Sequence, residues 1–228
     1  MTVALTNWEP YILPEIPAVP DPALQRAVRD AAIDFCQDTL VWKEWLDRIS
    51  ILANDDEYLL SAPAAMVAYA DIEGVYQVYF KENGAADDQF GPLDPTTEDD
   101  METELGSAWM FVTAEQPSKY YIPPSEPTML YLHPIPTVAS VSGLLVRAYA
   151  KPLQTAVLLP DFLYNRHLNP IKHGALAKLF GAKGMPWYDP KEEAKWDGLY
   201  RLDVDNAIVP ATKGPIRKEQ RVRFRNWI

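Results

Sequence analysis

A single cysteine, Cys36, stands among 228 residues, so no disulfide framework can form within the chain, and a reducing compartment suits it. Its place in an apolar helical run reads as a small buried hydrophobe. Histidine is also scarce: His133, His167 and His173 have no cysteine pair beside them, so a structural zinc site is not expected. No run approaches the ~20 apolar residues that cross a bilayer. The N-terminus lacks both basic residues and a continuous apolar region, so no signal peptide is expected. The patterns G-x-G-x-x-G, G-x-x-x-x-G-K-[ST], H-E-x-x-H and G-x-S-x-G are all missing, which closes the usual routes to nucleotide, zinc-protease and serine-hydrolase chemistry. The chain is read as a non-enzyme without cofactor or metal.

What is present is apolar and uneven. A content of 48% hydrophobic and 11% aromatic residues excludes a disordered protein. The 21 prolines gather at Trp8–Pro22, Pro117–Pro136 and Pro210–Pro215, which predicts long irregular connections. The formal charge is −11, yet six basic residues against Glu219 give the segment from Lys213 onward +5, leaving −16 on the rest. An acidic body repels polyanions, whereas a short basic end seeks an acidic partner.

From Asp21 to Ser50 the residues Leu24, Ala27, Val28, Ala31, Phe35, Trp42, Trp45, Leu46 and Ile49 recur at the spacing of one helix face. This predicts one long helix, capped by Asp21 with Pro22 at its first position. Phe35, Trp42 and Trp45 on one side need a partner surface. Before it, residues 1–20 carry four prolines and are expected to lie extended.

Between residues 51 and 158 the period changes to two. Tyr58–Leu60, Met66–Ile72, Val75–Phe80, Tyr120–Ile122, Thr128–Leu132, Leu144–Tyr149 and Ala156–Leu158 are β-branched or aromatic runs separated by turn residues, predicting a small antiparallel sheet or sandwich. Gly74 is expected to divide one run, and Asn83-Gly84 is a hairpin-type pair. Asp94-Pro95 could cap a short acidic helix reaching Leu105. The helical period returns at Pro160-Asp161, where Pro170 must kink or restart the helix and Gly174 permits a close crossing. Asp189-Pro190 opens a last helix with Trp196 on its apolar face, stopped by Pro210. The expected fold is α+β: a bundle of about three long helices (21–50 with 159–209), an inserted antiparallel β region (51–158), and extended arms at 1–20 and 210–228.

Three features invite chemistry. The carboxylates Glu98, Asp99, Asp100, Glu102 and Glu104 could serve a Ca²⁺ site or the acid pair of a carbohydrate-active enzyme, but the Gly turn of a calcium loop is missing and a solvated acidic surface is the favoured reading. Trp109, Tyr120, Tyr121 and Tyr131 could stack on sugars or fill a core. In the tail, Arg217, Lys218, Arg221, Arg223 and Arg225 alternate with or adjoin Val222, Phe224, Trp227 and Ile228. A nucleic-acid-binding module would use the arginines alone, whereas a segment docking in a partner's groove uses both sets.

The phrases AVRDAAIDFCQDTLVWKE, MLYLHPIP, LLPDFLYNRHLNPIKHGALAKLFGAKGMPWYDP, in that order, resemble the head-to-tail adaptor (connector) proteins of tailed bacteriophages, the group that includes the tail tubular protein A type. The likeness runs from Asp21 to Ala207, departing at Pro170 and in the acidic connection 85–104. It implies a structural virion protein of the neck, assembled in the host cytoplasm. It further implies a homo-oligomeric ring of twelve copies under the portal protein, joined below to a tail, nozzle or tail-terminator protein. Genomic DNA would pass through without specific binding, and no membrane is involved. Docking on the portal falls to the C-terminal segment, and lateral or core packing of helices to Phe35, Trp42, Trp45 and Trp196.

Overall fold

A helix does open at Asp21, but Pro20 takes the N-cap position, Asp21 makes no side-chain cap bond and Pro22 is the second helical residue rather than the first; the apolar periodicity also outruns the helix. A computed structural model describes residues 1–82, 84–86 and 89–213, with side chains as far as residue 208. The chain begins with β1 (Thr2–Ala4), a 3-10 turn (Leu5–Trp8), α1 (Glu9–Ile12), α2 (Asp21–Thr39), β2 (Lys43–Trp45), β3 (Ile49–Ile51) and β4 (Glu57–Leu59). Then come β5 (Ala70–Phe80), β6 (Gly91–Pro92), β7 (Asp94–Pro95), α3 (Glu98–Leu105), a second 3-10 turn (Gly106–Phe111) and β8 (Thr113–Ala114). The rest comprises β9 (Lys119–Tyr121), β10 (Met129–His133), β11 (Ile135–Pro136), β12 (Ser140–Pro152), β13 (Leu158–Pro160), α4 (Asp161–Phe180) and α5 (Pro190–Lys213).

The architecture is therefore mixed α/β, with five helices and four sheets among the described residues; the expected bundle of three long helices is corrected, and so is the wholly antiparallel sheet or sandwich, since β7–β9 and β8–β11 pair in parallel and the sheets include a half-barrel. The first expected helix is eleven residues too long. Leu40 takes a left-handed conformation (φ 50°), its N–H bonds the Cys36 carbonyl, and Thr39 Oγ1 donates to the Phe35 carbonyl at 2.5 Å. These bonds satisfy the last carbonyls and turn the chain out of the helix. Trp42, Trp45, Leu46 and Ile49 keep helical spacing by coincidence and lie in or beside β2 and β3.

The N-terminal arm is extended over β1, which pairs antiparallel with β13, but a 3-10 turn and α1 follow in place of extended chain and sink Trp8 and Ile12 to zero exposure. At the other end Pro210 does not stop α5, which runs on to Lys213. Residues 214–228, expected to form a docking arm, lie outside the described residues, as does Asn83 of the expected hairpin pair.

Two apolar cores result. One gathers α2 and α4 with Trp8, Ile12 and Trp196. The other lies between a five-stranded sheet, in which β12 is the hub pairing β2, β3 and β5, and a four-stranded sheet ordered β4-β10-β9-β7. Inward side chains from both sheets, Val78, Leu144 and Val146 against Leu130 and Leu132, fill it. Ala70 and Ala150, at one end of the long β5–β12 ladder, reach the helical core and join the two halves.

Gly74 does not break β5. Instead the register against β12 shifts twice, leaving Tyr76 and Glu73 as extra residues on β5. Each such bulge bends the strand and re-aims a side chain. In α4 the expected kink falls at His167 (φ −127°, ψ 29°), three residues before Pro170, whose ring disturbs the preceding turn. The acidic helix is real, but Thr97 caps it rather than Asp94. The Thr97 hydroxyl oxygen accepts from the Asp100 N–H at 3.1 Å.

Candidate functional site

Because the two sheets bury one face each in a shared apolar core, as parts of a half-barrel, each keeps an outer face, and the two differ in chemistry. On the five-stranded sheet, strand alternation sends Arg147 and Tyr149 of β12 outward, and their antiparallel partners Trp45 and Lys43 share that face. The bulge adds Tyr76. The Lys43 ammonium stands 4.1 Å from the Tyr76 ring centre, and the Arg147 guanidinium lies 5.4 Å from Trp45 and 5.6 Å from Tyr76. Tyr76 and Tyr149 meet edge to face at 5.5 Å. These contacts hold cations over ring faces. At one margin Lys151 pairs with Glu73 at 2.6 Å, and Gln37 of α2 donates to the same carboxylate.

The other outer face belongs to the four-stranded sheet and is covered by α3 and its following turn. Trp109 meets Tyr121 edge to face at 5.6 Å and His133 at 6.0 Å, while Tyr121 stacks on Tyr131 at 4.8 Å. Tyr120 points the other way, into the core between the sheets. The four candidate sugar-stacking aromatics are thus split between an inner and an outer surface. Burial, reinforced by Glu98 and Asp56, pushes the Tyr121 phenol up. Lys119 grips Glu104 at 2.6 Å, and Met101 is the one fully buried side chain of α3. The carboxylates 98–100, 102 and 104 are exposed, and so are the apolar Leu105, Met110 and Phe111 beside them.

The aromatics expected to pack helices have separate fates. Phe35 is fully buried against His167 at 5.0 Å. Trp42, past the end of α2, stacks on Tyr69 and meets Phe162 edge-on. Trp196 of α5 lies over His173 of α4, whose Nδ1 is 2.8 Å from Asp203 Oδ2. Trp45 is not in that core at all: it sits 41% exposed on the outer sheet face. The docking residues Arg217, Lys218, Arg221, Val222, Arg223, Phe224, Arg225, Trp227 and Ile228 lie outside the described residues.

Among the described residues no cluster of three or more His, Cys, Asp or Glu is arranged to hold a metal ion. No described helix is long and apolar enough to cross a membrane. Cys36 is enclosed, and burial drives its thiol pKa upward, away from a reactive thiolate. The outer-face residues Lys43, Tyr76, Arg147 and Tyr149 escaped the sequence reading. The signal was the alternation Arg147, Tyr149, Lys151 in β12, but nothing local marks which strands flank it.

The model of the SU10 adaptor protein family matches residues 5–220, and no curated protein matches the chain.

Proposed function

The chain belongs to the SU10 adaptor protein family, structural adaptors of the bacteriophage head–tail junction, and from that premise we propose that it forms a dodecameric ring beneath the portal, joining capsid to tail around the DNA channel. The match over residues 5–220 carries this reading, since it spans both cores and the start of the basic segment. Charge supports it. A wall that bears much of the −16 repels the phosphate backbone, so DNA slides past without being held. The basic, apolar end from Arg217 to Ile228 docks on the portal, its arginines pairing with carboxylates while Val222, Phe224, Trp227 and Ile228 fill pockets. A tail, nozzle or terminator protein joins from below.

The test is attachment of the full-length protein to purified portal, compared with a chain lacking residues 214–228. Attachment lost on truncation, with an unchanged unfolding transition, is the expected result. Undiminished attachment of the truncated chain overturns the role given to the tail, and failure of the full-length protein to bind the portal overturns the adaptor reading.

A further inference from the structure

The outer faces of the two sheets are complementary, and they are separate surfaces of one copy. One is a projection: α3 and the turn after it, residues 98–111, set exposed carboxylates beside Leu105, Met110 and the 78% exposed Phe111. The other is a platform: Lys43 and Arg147 held over the rings of Trp45, Tyr76 and Tyr149. We infer that the projection of one copy docks on the platform of the next, and that this is the lateral contact of the ring.

Both halves of the chemistry match. Phe111 and Met110 gain aromatic partners in Trp45 and Tyr76, and the α3 carboxylates gain Lys43 and Arg147. A strongly acidic body disfavours contact with its own copies except where a cationic surface faces an anionic one, so charge selects this pairing over others. Two different patches that meet one-to-one between copies give a heterologous contact, not an isologous one. They make a head-to-tail contact that repeats, which closes into a ring when the rotation allows. The inference rests on the ring reading above and adds the surfaces that make it.

The experiment measures particle mass of the full-length protein bound to portal. One variant damages the projection, Phe111→Ser with Met110→Ser; another damages the platform, Trp45→Ala with Arg147→Glu. Each alone is expected to weaken ring formation by at least about tenfold. An equimolar mixture of the two is expected to form pairs and stop there, because only one intact projection and one intact platform remain. Both residues of the projection variant are exposed, so it tests the contact even where the platform variant folds poorly. Rings that persist in the projection variant overturn the inference and leave the adaptor reading standing. A wild-type chain that docks on the portal only as single copies overturns the ring and this contact together. DNA retention that is lost on Arg147→Glu while rings persist assigns the platform to nucleic acid and also overturns the inference.

Discussion

At Gly174 the missing side chain sets how closely three helices meet. A Cβ there would stand 3.1 Å from the Ala31 Cβ on α2 and 3.1 Å from the Tyr200 ring on α5. Gly174→Leu should therefore destabilise the protein by roughly 1–3 kcal/mol, read as a lower denaturant midpoint. Phe35→Ala, which empties a fully buried site beside His167, should lower stability by about 3–5 kcal/mol in the same measurement. Two histidines give a pH signature. Burial, with Arg166 nearby, lowers the His167 pKa, and burial with Lys119 lowers that of His133 against an opposing pull from Glu104. With folded values below the unfolded 6.5, the unfolded chain takes up protons first. Stability should be unaffected by these groups above about pH 6.5 and fall as pH drops through the window beneath it. Replacing both by Gln should flatten that part of the profile of denaturant midpoint against pH.

At the scale of the element, α3 is held by little: a Thr97 cap, the buried Met101 and the Lys119–Glu104 pair. Thr97→Ala should raise amide exchange across residues 98–105, by the ~1 kcal/mol a cap is worth, and leave the global unfolding midpoint nearly unchanged. This helix was legible in the sequence because its acidic run follows Pro95 and ends before Gly106, although its cap was assigned three residues early. The starts of α2, α4 and α5 were legible because Asp-Pro or Pro-Asp pairs set φ there, although α2 and α4 make no side-chain cap bond and only α5 gains an acceptor. Asp189 Oδ1 indeed accepts from the Lys191 and Glu192 N–H groups. The end of α2 was not legible, since Leu40 in a left-handed conformation carries none of the glycine signal that marks most such ends. The bulges that turn Tyr76 outward were equally hidden, because they arise from the register of β5 against β12, some seventy residues apart, and not from either strand alone.

At the scale of the molecule, two cores joined along the β5–β12 ladder make a stiff block, and charge is parcelled so that the body is acidic and the C-terminal segment basic. The match to a structural adaptor family agrees with a chain that offers exposed surfaces over packed aromatic cores. The proposed contact surfaces were only partly legible in the sequence: the basic tail stands out as a run, but the platform is assembled from β2, β5 and β12 and exists only after folding. Raising salt from 0.1 to 1 M shortens the screening length from about 10 to about 3 Å, so portal attachment through the arginine-rich end should weaken markedly, as a salt titration of the pull-down would register. The most direct test of the whole account is imaging of the full-length protein assembled on its portal. A closed dodecameric ring with the C-terminal segment seated on the portal is the predicted image; single copies scattered on the portal, or none at all, would contradict it.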